Sequence, residues 1–172
     1  MTTTSLNPTA EISSAHRTLI SYYGLFMVAW STLESLLQTA IMKELNISPT
    51  NAVIITGKLQ FQPRAQLLIN LLKENPSCDK EAIRLIQKME GFAHRNTIVH
   101  GLIVVGDPER LTFVKYDGGG SVKQSFTPEI MAKHIMGLNE RTEKLQGLLG
   151  ILDSDLQLIG GATLRFANSK KQ

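Results

Sequence analysis

Between residues 11 and 46 apolar side chains return at steps of three and four: Ile12, Leu19, Tyr23, Phe26, Trp30, Leu33, Leu37 and Ile41. That spacing places them on one stripe of a long α-helix, and such a stripe must be covered by other elements. The most apolar stretch, "LFMVAW" at residues 25 to 30, is followed by Glu34. It is too short and too mixed for a membrane span, so the helix reads as a core helix and no membrane partner is expected.

Further helices follow the same logic. "NISPTN" breaks the first one, with Ser48 as a cap and Pro49 suited to the first position of a short helix over 49 to 60. Pro63 can open a third through "RAQLLINLLKEN" to about residue 74. After "NPSCD", Ser77 or Asp79 caps a helix that runs through Leu85, Ile86, Met89, Phe92 and Ala93 towards Gly101, a residue suited to the left-handed position beyond a helix end. "LIVVGDPERLTFVKY" then changes period; β-branched and aromatic residues flank "GDPER", which predicts a β-hairpin over about 102 to 117 that "DGGGS" ends. As two strands alone are marginal, the hairpin reads as an appendage. Thr127 and Pro128 mark the start of a last long helix with the stripe Met131, Ile135, Leu138, Leu145, Leu149 and Leu152.

The expected fold class is therefore all-α: an up-and-down helical bundle with a short β-hairpin inserted before the last long helix. One domain over 11 to 156 is expected, with a disordered N-terminus at 1 to 10 and a tail at 157 to 172. A chain of 172 residues that is 42% hydrophobic can bury a core of this size. The net charge of +3 allows an anionic partner without identifying one. The single cysteine, Cys78, and a polar start without signal-peptide regions lead to an expected cytoplasmic location. No metal site is expected, since His16, His94 and His134 lie on separate segments. "YDGGGS" lacks the Lys and Ser/Thr of a phosphate loop and reads as a turn.

One stretch interrupts the pattern. In "GFAHRNTIVHG", residues 91 to 101, a regular helix turning about 100° per residue from Leu85 puts Asn96 at about 20° and His100 at about 60°, inside the apolar stripe. Arg95 falls at about 280°, in a ridge with Arg84 at about 260° and Lys88 at about 300°, and Gly91 opens a gap there. A basic flank with Arg84 and Lys88 thus borders a polar notch, and another backbone or a phosphate could approach closely at the gap. Glu34 lies about 40° from Trp30 on the first helix, where a carboxylate at a bundle interface needs a partner, either Arg95 or His100. The structural alternative is that Asn96 and His100 satisfy buried backbone groups and Glu34 closes a salt bridge.

"RNTIVHG" resembles the signature of HEPN domains, the higher eukaryotes and prokaryotes nucleotide-binding family, in which an Arg and a His four to six residues apart form the active site. The seven-residue motif is the specific part; the order of helices over residues 11 to 156 is similar more loosely. The resemblance implies a metal-independent endoribonuclease without cofactor, working as a homodimer whose motif helices meet, of the kind found in toxin–antitoxin and phage-defence systems, with RNA as substrate and an antitoxin or other regulatory protein as a further partner. It makes Arg95, Asn96 and His100 the catalytic residues, leaves Glu34 in support and makes Arg84 and Lys88 the expected RNA-binding residues. The inserted hairpin departs from the simplest family layout, and a regular helix leaves Arg95 and His100 about 140° apart. The competing reading is a non-catalytic bundle of the same fold that binds a protein or nucleotide.

Overall fold

A computed structural model describes residues 14–104, 107 and 109–169. Around one central helix, α1 (Ser14–Glu44), are arranged α2 (Pro49–Thr56), α3 (Phe61–Glu74) and α4 (Lys80–Met89). A 3-10 turn (Phe92–His94) and α5 (Arg95–His100) follow, then strands β1 (Leu102–Val104), β2 (Leu111–Asp117) and β3 (Gly120–Phe126), and finally α6 (Pro128–Leu148) and α7 (Asp153–Ser169). The architecture is a mostly helical bundle carrying a small antiparallel sheet. Helix α1 touches α2, α3, α6 and α7, and its stripe from Leu19 through Phe26, Trp30, Leu33 and Leu37 to Ile41 is buried. By length and composition α1 alone among the described residues could cross a membrane, yet 61% of its most apolar window lies buried inside the fold. Ile12 and the N-terminal segment 1 to 10 lie outside the described residues.

Local chemistry starts most of the helices where the sequence places them. Ser48 caps α2 by accepting from the Asn51 amide at 3.2 Å, with Pro49 at the first position. Asp79, rather than Ser77, caps α4 through the Glu81 amide at 2.7 Å. Thr127 caps α6, again ahead of a proline. Pro63 instead sits at the third position of α3, still within the first turn where its missing N–H costs no intrahelical bond. Helix α2 stops at Thr56, short of the expected residue 60.

Three features differ from the expectation. The helix expected to run unbroken to Gly101 ends at Met89, and His94 takes a left-handed conformation with φ 52°. The hairpin gains a third strand, because "DGGGS" turns the chain back: Asp117 pairs with Gly120 and the ladder continues to Leu111 opposite Phe126. Nor is this sheet an appendage. Leu111, Phe113 and Phe126 belong to the main core, Phe113 packing 5.7 Å from Tyr23 and 5.8 Å from Phe126.

The stretch expected as a tail is helical through Ser169. Helix α6 ends near Leu149 because Gly150 adopts φ 58°, and the chain folds back. Leu152, placed on the α6 stripe by periodicity, is consequently 64% exposed. Ile159 and Ala162 of α7 are buried, Ile159 packing with Met42 and Ala52, and Lys43 bonds both the Gly150 carbonyl and Asp155 at 3.0 Å. Ile159→Ala should therefore lower unfolding free energy by about 2–4 kcal/mol in urea titration; a frayed tail would give no change.

Candidate functional site

Helices α1 and α3 and the short α5 converge on a half-buried carboxylate. Glu34 Oε1 accepts from Trp30 Nε1 at 3.0 Å, one helical turn back, and from Arg95 Nη2 at 3.2 Å. Its other oxygen faces Arg64 Nη1 at 3.6 Å. Both guanidinium groups are about nine-tenths buried, so two positive charges share one negative charge in a region of reduced dielectric. Burial pulls Arg64 below the ordinary arginine range; Glu34 pulls it back up, and Arg95 lowers it again. Arg64 also donates to the carbonyls of Thr56 at 3.2 Å and Leu59 at 2.9 Å, which joins α1 to the α2–α3 connection.

Arg95 is held through both terminal nitrogens, while its buried Nε finds no hydrogen-bond partner among the described residues. Its guanidinium lies 5.2 Å from the Trp30 ring centre and 5.9 Å from that of Phe61, within the range of a cation–π contact. Nη1 donates to Asn96 Oδ1 at 3.0 Å and approaches His100 Nε2 at 3.4 Å. Because a guanidinium can only donate, this contact is a hydrogen bond only with Nε2 as the acceptor. The Arg95 side chain therefore bridges the 140° that separates the two positions on a regular helix.

Asn96 and His100 are exposed, not enclosed in the apolar stripe as the continuous wheel predicts. The cause is the break at residues 90 to 94. It re-aims α5, turning Arg95, Thr97 and Ile98 inward and Asn96 and His100 outward. Gly101 is extended, with φ −82° and ψ 153°, and does not adopt the left-handed end conformation. Its role is spatial: an added Cβ would collide with the Thr97 carbonyl and lie 3.2 Å from the Phe113 Cβ. Lacking that atom, the end of α5 meets β2 closely.

Arg95, Asn96 and His100 line a recess of about 170 Å³ together with Gln60, Phe61, Gln62, Glu90 and Lys115. Arg84 and Lys88 do not join them. They line a different hollow of about 860 Å³ with Glu81, Glu140, Arg141 and Lys144, where the charges are mixed and Lys144 is already paired with Glu81 at 2.6 Å. The basic ridge predicted by a continuous helix is split because α4 ends before Arg95. Among the described residues, no three His, Cys, Asp or Glu side chains cluster so as to hold a metal ion.

The sequence reading passed over Arg64, Phe61 and Lys115. Arg64 occupies an apolar position in the α3 pattern between Phe61 and Leu68, a signal of the same kind as Glu34. Lys115 alternates with the buried Leu111 and Phe113 on one face of β2, which marks its face but not its destination. Compared with family models, characterised proteins and solved structures, the chain has no match.

Removing one member of a buried ion pair costs about 3–5 kcal/mol. Glu34 retains 28% side-chain exposure, so Glu34→Ala should cost less, about 2–3 kcal/mol. Arg95→Met, which keeps an aliphatic stem between the rings and leaves Arg64 paired, should cost less again. Urea unfolding followed by fluorescence reports both, because the sole tryptophan, Trp30, donates to the carboxylate in question.

Proposed function

We propose that this protein is a HEPN-like, metal-independent endoribonuclease that cuts RNA by attack of a ribose 2′-hydroxyl on its own phosphodiester. The observation that carries the reading is the approach of Arg95 Nη1 to His100 Nε2, 3.4 Å, at the lip of a recess where His100 is exposed. In this chemistry the 2′-oxygen forms a bond to phosphorus, the bond to the 5′-oxygen breaks, and the products carry a 2′,3′-cyclic phosphate and a free 5′-hydroxyl. Once substrate displaces the 3.4 Å contact between Arg95 Nη1 and Nε2, His100 takes the 2′-hydroxyl proton on that nitrogen, and the leaving oxygen needs a proton in return. Arg95 is the positioning residue that holds the ring, with Asn96 fixing its fork, and its positive charge faces the developing phosphorane.

One His and one Arg supply half of the acid–base pair, so the reading includes a homodimer in which His100 of a second copy provides the returning proton. The context in keeping with the HEPN resemblance is a cytoplasmic effector of a toxin–antitoxin or phage-defence system, restrained by a cognate protein. The second reading, a non-catalytic binding module, is favoured by one specific observation: Arg95 is 9% exposed and already paired with Glu34, which makes it a structural ion.

The test is cleavage of single-stranded RNA in excess EDTA, scored for cyclic phosphate ends. His100→Ala should lose about 10²–10⁴-fold in kcat with unchanged melting, since the side chain is exposed. Arg95→Lys keeps the charge but loses the planar fork, and should lower kcat with KM little altered. RNA that stays intact with the wild-type protein, combined with lower melting in both variants, would establish the binding-module reading instead.

A further inference from the structure

We propose that Lys115, delivered by the inserted sheet, is the residue that seats the substrate phosphate in the Arg95–His100 recess. This rests on the ribonuclease reading and goes beyond it, since it adds a binding residue from outside the motif.

Arg95 is already committed within the fold. Its guanidinium already serves Glu34, Asn96 and His100 and lies against two aromatic rings. A phosphate would have to displace these partners to obtain the bidentate grip that arginine ordinarily provides. The cluster nevertheless keeps a surplus positive charge, because Arg64 and Arg95 face one carboxylate. An anion in the recess is attracted by that surplus without needing to touch it.

Lys115 supplies the contact. Among the described residues its side chain makes no hydrogen bond and no salt bridge, although it is half-buried and lines the same recess as His100. Its backbone position follows from packing. Phe113, on the same face and two residues earlier, is fully buried, and the missing side chain of Gly101 lets β2 pass close to the end of α5. Lysine is suited to this place as a flexible point charge with three donors on a long stem. Gln60 and Gln62 line the same recess. The opposing charge in the lining is Glu90, which is exposed at the end of α4. The recess, about 170 Å³, has room for more than one water-sized group.

The test uses the full chain and a short single-stranded 2′-O-methyl RNA, which keeps the phosphates but lacks the attacking hydroxyl. Lys115→Met preserves the stem and removes the charge; it should weaken binding about tenfold or more at low salt and flatten the plot of log affinity against log salt by about 0.7. Lys115→Arg should restore both. With cleavable RNA, Lys115→Met should raise KM, in contrast to the kcat loss of the Arg95 and His100 variants. Wild-type affinity and salt slope in Lys115→Met would overturn the proposal, whether or not the enzyme cuts RNA. If the oligonucleotide binds through Lys115 and no RNA is ever cleaved, the phosphate seat stands and the nuclease reading falls. If the wild-type protein neither binds nor cuts, both fall.

Discussion

The site depends on a single carboxylate. Glu34 sits on the buried side of the longest helix, where an unpaired charge would be costly, and takes hydrogen bonds or ion pairs from Trp30, Arg95 and Arg64. Each partner belongs to a different part of the chain or a different turn, so satisfying one group sets the relation of α1, α3 and α5. Replacing such a cluster by apolar residues of similar volume can leave stability unchanged, and its value is better sought in specificity. Here it selects one orientation of α5, the one that leaves His100 in solvent and Arg95 behind it.

The left-handed turn at His94 has the same effect at the level of the backbone. Left-handed geometry is disfavoured for residues with a Cβ, though histidine tolerates it better than most. In exchange, the helix axis changes direction immediately before the motif. A continuous helix would have placed Asn96 and His100 against the core and Arg95 in a basic ridge. The break reverses all three positions, turning a structural oddity of the sequence into an accessible pair of side chains. Gly101 completes the arrangement by allowing the sheet to close against the end of the short helix.

Much of this was legible in the residues. The apolar stripe of α1, the caps at Ser48, Asp79 and Thr127, and the change of period after Gly101 are local signals, and the elements form where those signals lie. Glu34 was legible as a carboxylate that must find a cation, Arg95 or His100, and it pairs with Arg95 and Arg64. The third strand was missed because "DGGGS" was read as an end, whereas glycines serve a tight antiparallel turn equally well. Helix α7 was missed because its apolar residues suggest a stripe only once a partner surface is known, here Met42 and Ala52.

By itself the sequence determined most of the helical segments, the buried stripe of α1 and which charged or polar groups would need partners, since periodicity, capping and desolvation act over a few residues or on one side chain at a time. The tertiary structure decided which partners those groups obtain. That Arg64 joins Glu34, that Arg84 and Lys88 face a different hollow from Arg95, and that Lys115 reaches the His100 recess all depend on how elements far apart in the chain pack against α1. No local rule contains that information, because a side chain's surroundings are made by residues whose positions only the completed core defines.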